Sequence, residues 1–157
     1  MAEKFKIAVG SDHAGFDLKE KIRRYLVSKG YEVDDVGTRS AASVDYPDFA
    51  REVGTRVATK QADFGVLVCG TGVGVAMSAN KIRGIRAATC NDTISAHFAR
   101  AHNDANVITL GGRVIDEATA QKILDIWLST PFEGGRHQRR VDKIATLEDT
   151  HPSEKTA

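Results

Sequence analysis

Apolar residues come in two alternating rhythms along this chain. Short runs rich in β-branched residues read as buried strands, and apolar positions spaced three and four apart read as helices. Lys6–Gly10 is the first expected strand, and the polar turn Ser11-Asp12-His13-Ala14-Gly15 follows it. Leu18, Ile22, Tyr25 and Leu26 share one helical stripe, which Gly30 stops. Tyr31–Val36 is a second strand. A polar connection from Gly37 to Tyr46 then leads to Pro47 at a first helical position, and Phe49, Val53 and Val57 mark that helix's inner face. Val66, Leu67 and Val68 form a third strand that stops at Cys69, and a helix is expected from Val75 to about Ile82. Ile85–Thr89 is a fourth strand, and Asn91-Asp92-Thr93 can cap a helix from Ile94 to about Ala101. Asn106–Leu110 is the fifth strand, with Gly111-Gly112-Arg113 after it. Ala120, Ile123, Leu124, Trp127 and Leu128 give the clearest helical stripe, which Pro131 ends. A last helix, Gln138–Glu148, carries Val141, Ile144 and Leu147. Residues 1–149 are expected to form one domain, with a polar, frayed tail at 150–157.

Strands that alternate with helices imply right-handed βαβ units, hence a parallel sheet covered on both faces. Ligands of such sheets bind beyond the carboxyl ends of the strands. Asp12 and His13, Cys69 and its glycines, Asn91 and Asp92, and Arg113 all follow strands, so they are expected along one edge.

Composition narrows the classes. With 22 Lys and Arg against 21 Asp and Glu there is no net basic field, so charge implies no nucleic-acid partner. No apolar run approaches transmembrane length, and MAEKFKIAVG has no signal-peptide core. Cys69 and Cys90 make no disulfide framework; the reading is a protein of the reducing cytoplasm.

The chemistry centres on Phe64–Asn80, FGVLVCGTGVGVAMSAN. Glycines at 70, 72 and 74 let backbone amides converge after the strand, an arrangement that binds anions and holds a thiol at its lip. A tight structural turn with an inert cysteine is the plainer alternative, but one glycine would serve it. The dinucleotide fingerprint fails, because its third glycine falls on Val75, and no P-loop Lys follows. Asp92 alone keeps a nicotinamide-dependent oxidoreductase in view.

Other polar residues have bland alternatives. Asp12 caps a helix equally well, and His97 is packing or exposed. His102 ends a helix beside Asn103 and Asp104, where a C-terminus favours a cationic imidazole. Arg136, His137, Arg139, Arg140 and Lys143 form a basic cluster, most simply a solvated face; Arg136 and Arg140, four apart, share one side and can grip one anion.

Several separated motifs resemble those of the B-type ribose-5-phosphate isomerases, a family that includes allose- and galactose-6-phosphate isomerases. They are Gly10–Gly15, Asp45-Tyr46-Pro47, Cys69–Gly74, Gly84–Ala87, His102-Asn103-Asp104, Gly111-Gly112-Arg113 and Glu133–His137. The resemblance spans Lys6 to about Glu148. It implies an α/β, Rossmann-like three-layer αβα sandwich with a five-stranded parallel sheet and a C-terminal helix. It implies aldose–ketose isomerisation of a phosphorylated sugar through an enediolate, ribose 5-phosphate being the first choice and allose 6-phosphate or a tetrose phosphate alternatives. Cys69 matches the base, with Thr71 beside it; a branch that uses Glu inside the turn is excluded by Val75 and Thr71. His102 matches the ring-opening residue, assisted by Asp12. Tyr46, Gly70, Gly72, Gly74 and Asn103 match sugar-binding positions. His13, Arg113, Arg136 and Arg140 match the phosphate set. No metal or nucleotide cofactor is implied. A homodimer or homotetramer is, with the site between subunits. A non-catalytic sugar-phosphate-binding module is the remaining alternative, against which an intact Cys69 argues.

Overall fold

The computed structural model describes residues 4–150. Five parallel strands form one sheet in the order β2-β1-β3-β5-β4. They are β1 (Lys6–Ser11), β2 (Glu32–Asp35), β3 (Phe64–Cys69), β4 (Ala87–Thr89) and β5 (Val107–Gly111). The helices are α1 (Phe16–Ser28), α2 (Tyr46–Ala58), α3 (Val73–Ala79), α4 (Thr93–Ala101), α5 (Glu117–Ser129) and α6 (Arg136–Thr146), and a short 3₁₀ turn, Leu147–Asp149, follows. The expected α/β sandwich is what forms. The tail at 151–157 lies outside the described residues.

The central strands β1, β3 and β5 are apolar on both faces because helices cover both. On one face Ile7, Val9, Val66, Val68, Ile108 and Leu110 pack with Leu18, Ile22 and Trp127 from α1 and α5. On the other, Ala8, Leu67, Cys69 and Val107 pack with Val53, Val57 and Val75 from α2 and α3. Cys69 thus sits on the α2/α3 face at the end of the middle strand.

Boundaries moved where turns compete with pattern. Helix α3 starts at Val73 and ends at Ala79, two to three residues earlier than expected. Strand β4 starts at Ala87, since Ile85 N–H donates to Ile82 O and Arg86 N–H to Asn106 Oδ1 instead of to a strand. Of the three apolar residues expected to face inward at this end only Val141 is buried; Ile144 and Leu147 face solvent. Lys19, polar by pattern, is fully buried, because its ammonium meets Asp35 at 2.8 Å and Glu20 at 3.1 Å. No helix among the described residues is long and apolar enough to cross a membrane.

Candidate active site

The glycine turn after β3 is tied to the end of β5. Gly112 N–H donates to Cys69 O at 2.8 Å, and Arg113 N–H to Gly70 O at 3.0 Å. Of the three glycines only Gly72 has a positive φ, +84°, and a side-chain carbon there would lie 3.0 Å from the Leu110 backbone. This bend aims the Gly72 N–H at Cys69 Sγ, 3.2 Å away. The other two glycines are needed for close approach. A carbon on Gly74 would meet the Tyr46 ring at 2.8 Å, and one on Gly70 would meet Arg113 Nη1 at 3.3 Å. Tyr46 and Arg113 therefore flank the turn that carries Cys69. Thr71 is exposed, and its hydroxyl oxygen accepts the Val73 N–H at 3.3 Å, which leaves its proton free to donate.

Asp12 and His13 leave β1 at the same edge. Asp12 N–H donates to Val68 O, next to Cys69 in the chain. Asp12 is buried, and one carboxylate oxygen accepts the Gly15 N–H at 3.0 Å. It closes the turn ahead of α1 without capping the helix, whose N-cap is Gly15, and its second oxygen is unengaged among the described residues. His13 Nδ1 lies 3.2 Å from both the N–H and the carbonyl oxygen of Val44. In the tautomer that accepts the N–H the proton sits on Nε2, a donor for an anion.

His102, Asn103, Arg136 and Arg140 are elsewhere in the same chain. Helix α4 runs back against the strands, so its end at His102 leads into the amino end of β5. Arg86, which precedes β4, donates to Asp104 O at 2.9 Å, and Gly65, at the start of β3, donates to Asn106 O. Glu133 N–H donates to Ala101 O, which brings the α6 start to this end too. With β5 about 17 Å long, Cys69 and His102 stand at opposite edges of one sheet. Arg136, Arg139 and Arg140 are all exposed. So is His97.

His102 is held by Glu133 and His137, which the sequence placed in a motif of their own and not against His102. Its ring stacks on His137, centroids 4.0 Å apart and planes 9° from parallel, and its Nε2 is 3.5 Å from Glu133. His137 Nε2 lies 3.9 Å from the same carboxylate. Burial, with His102 and Arg136 beside it, lowers the pKa of His137 below the ordinary histidine value. One donor atom from each of His102, Glu133 and His137 falls within a 4.8 Å group, a clustering that residue spacing alone did not suggest. Its geometry is a poor one for a metal. A metal lies in the plane of each imidazole that binds it, and two parallel planes stacked at 4.0 Å hold no common point.

Two further residues lose their alternative roles. Both carboxylate oxygens of Asp92 are taken by Ser95, N–H at 2.7 Å and hydroxyl at 2.9 Å, which cap α4 and depress the Asp92 pKa. A ribose-binding acid is thereby missing from the oxidoreductase reading. Cys90 is buried, and its thiol is pushed up to about 12, chiefly by desolvation. A cavity of about 630 Å³ opens between β4 and α6, with Ile82, Ile85, Ile144 and Leu147 in its lining. It touches Asn103, and neither Cys69 nor the glycine turn lines it.

A parallel three-layer α/β sheet with a thiol in an amide-lined turn defines a small-molecule enzyme class whose site sits at the strand ends. Residues 7–144 match the Ribose/Galactose Isomerase family, and the chain belongs to it. It is 49% identical over 143 residues to ribose-5-phosphate isomerase B of Escherichia coli K12, covering 91% of this chain and 96% of that one. A ribose 5-phosphate isomerase structure from Thermotoga maritima superposes with a TM-score of 0.90 at 53% identity, covering 92% of this chain and 99% of that one. Ribose-5-phosphate isomerase B of Mycoplasma genitalium, solved with bound ribulose-5-phosphate, gives a TM-score of 0.90 at 43% identity, covering 96% and 100%.

Proposed function

We propose that this chain interconverts ribose 5-phosphate and ribulose 5-phosphate through an enediolate, with Cys69 as the base. The observation that carries this is the Gly72 N–H on Cys69 Sγ at 3.2 Å, inside the glycine turn after β3. A hydrogen bond to sulfur favours the thiolate, the form able to take a proton from carbon. The thiolate removes the C2 proton of the aldose, electrons shift to the carbonyl oxygen O1, the proton of the C2 hydroxyl passes to O1 as the C2 carbonyl forms, and the same thiol returns its proton to C1. Preorganised donors offset the charge that develops on the enediolate oxygens. Gly70 and Gly74 keep side chains away from the turn, and Thr71 has a hydroxyl proton to give.

The remaining roles follow from chemistry and position. His102 opens the furanose by moving a proton at the ring oxygen, with Asp12 holding the sugar. Tyr46 and Asn103 contact the sugar. His13 Nε2, Arg113, Arg136 and Arg140 bind the phosphate dianion. Because Cys69 and His102 lie at opposite sheet edges, each site needs a second copy: one subunit gives Asp12, His13, Tyr46, Cys69, the glycine turn and Arg113, and its partner gives His102, Asn103, Arg136 and Arg140. The protein is therefore a homodimer, or a tetramer built from such dimers, and acts in the cytoplasm in pentose phosphate metabolism. The test is a coupled assay of ribulose 5-phosphate formation. Absence of turnover on ribose 5-phosphate, with turnover on allose 6-phosphate or a tetrose phosphate, would replace the substrate and keep the class. Binding without turnover of any of them would reduce the chain to a binding module.

A further inference from the structure

Two consecutive peptide groups flank Gly72, whose N–H meets Cys69, and the carbonyl of each accepts a hydrogen bond from a side chain. The first carries the Gly72 N–H that meets the sulfur and, on its other side, the Thr71 carbonyl. Asn91 Nδ2 donates to that carbonyl at 3.1 Å, while Asn91 Oδ1 accepts the Gly111 N–H at 2.8 Å. The second peptide presents Gly72 O. It accepts the Thr109 hydroxyl at 2.7 Å and lies 3.2 Å from the Thr89 hydroxyl, and the two hydroxyls are 2.9 Å apart. Thr109 is completely buried.

The fold alone does not call for these side chains. Thr89 and Thr109 already pair through the sheet, Ala88 and Ile108 beside them need no hydroxyl, and valine would fill the space of either threonine. The turn itself is tied to β5 by the backbone bonds of Gly112 and Arg113. What the hydroxyl and the carboxamide add is the orientation of Gly72.

We propose that Asn91 and Thr109 are positioning residues for the Cys69 thiolate, fixing the peptides on either side of Gly72 so that its N–H stays on the sulfur. A hydrogen bond donated to a peptide carbonyl polarises that peptide and strengthens its N–H as a donor. Helix α3 has only seven residues, so these peptides, not a long helix dipole, supply the effect. The proposal rests on Cys69 being the base, but its test reads the sulfur directly.

The thiolate ultraviolet absorbance is followed against pH, as the difference from the Cys69→Ser protein. Cys90, pushed up to about 12, stays silent over the working range. Thr109→Val is expected to lower the thiolate fraction near neutral pH by about tenfold, one unit of displacement along the pH axis, and to converge with the unaltered protein in alkali. Asn91→Ala moves the curve the same way. Thr109→Ser restores it. In the sugar-phosphate assay kcat falls in both variants while KM holds. A merely structural role would lower the melting temperature and leave the titration curve in place, and overlaid curves overturn the proposal. If Thr109→Val does not fold, Asn91→Ala, at a partly exposed position, decides alone. Full turnover in Cys69→Ser would instead remove the base and leave any displacement of the thiolate curve standing.

Discussion

The imidazoles of His102 and His137 lie face to face, 4.0 Å apart and 9° from parallel, where α4 ends and α6 begins. Glu133 lies against both rings, and Arg136 and Arg140 add positive charge beside His137. Positive charge on His102 at this distance works against protonation of His137.

This has a consequence for stability. His137 has its pKa lowered in the fold, first by burial and then by the charges of His102 and Arg136. As pH falls below the ordinary histidine value of 6.5, the unfolded chain takes up a proton that the folded chain resists. Stability then falls with acidification, and is regained above that value. Thermal melts between pH 7 and 5 should show this loss, and His137→Gln should reduce it. Asp92, Asp116 and Glu20, whose pKa values are also lowered, act beneath their ordinary values of 3.8 to 4.5, outside this window. An identical slope in His137→Gln would assign the acid sensitivity to another group.

Cys69→Ser should keep the fold, because oxygen fits where sulfur sat and the Gly72 N–H can still donate to it. Loss of a general base costs about a hundredfold to ten-thousandfold in turnover. Circular dichroism should be unchanged and substrate binding should survive. Near-full turnover would mean that another group moves the proton.

The architecture was legible because each strand is an apolar run and each helix a stripe with its own stop, as with Gly30 after Leu26. Cys69, its glycines, Asp12, His13 and Arg113 were legible as one edge because a parallel sheet puts every strand's end there. What the pattern missed is what only tertiary pairing creates. Lys19 reads as solvent-facing until Asp35 arrives from β2. Ile144 and Leu147 read as core because their spacing is right, yet no element among the described residues covers them. Asn91 and Thr109 act through Gly72, and no spacing rule links residues 19 and 37 positions apart from it. The separation of His102 from Cys69 was derivable, since a helix between parallel strands must return to the opposite edge.

That separation predicts complementation between inactive proteins. Cys69→Ser lacks one half of the site and His102→Ala the other. If the halves meet across a two-fold axis, a mixed dimer holds one site with both intact residues and one with neither. Co-refolding the two variants in equal amounts should restore roughly a quarter of the sites, since about half of the dimers are mixed and each of those has one working site. Each variant refolded alone should stay inactive. Absence of recovery, with mixed dimers demonstrated by mass, would place Cys69 and His102 in one subunit's site or outside it.

Phosphate recognition offers the most discriminating comparison, because the helix supplies its own control. A dianion in a partly closed site needs several positive groups, and Arg136 and Arg140, one turn apart, face the same way. Arg139 lies about 100° around the helix from Arg140 and points elsewhere. A charge-assisted hydrogen bond contributes about 1.5–3 kcal/mol, so Arg140→Ala should weaken binding by roughly ten- to a hundredfold. KM for the sugar phosphate should rise accordingly. Turnover should fall as well if phosphate binding also places the reacting carbons against Cys69. Arg139→Ala should leave both constants near those of the unaltered enzyme. Inorganic phosphate should compete with substrate, and compete less well in Arg140→Ala. Equal effects at 139 and 140 would show that the basic face of α6 attracts anions without a defined site, and that the phosphate is bound elsewhere.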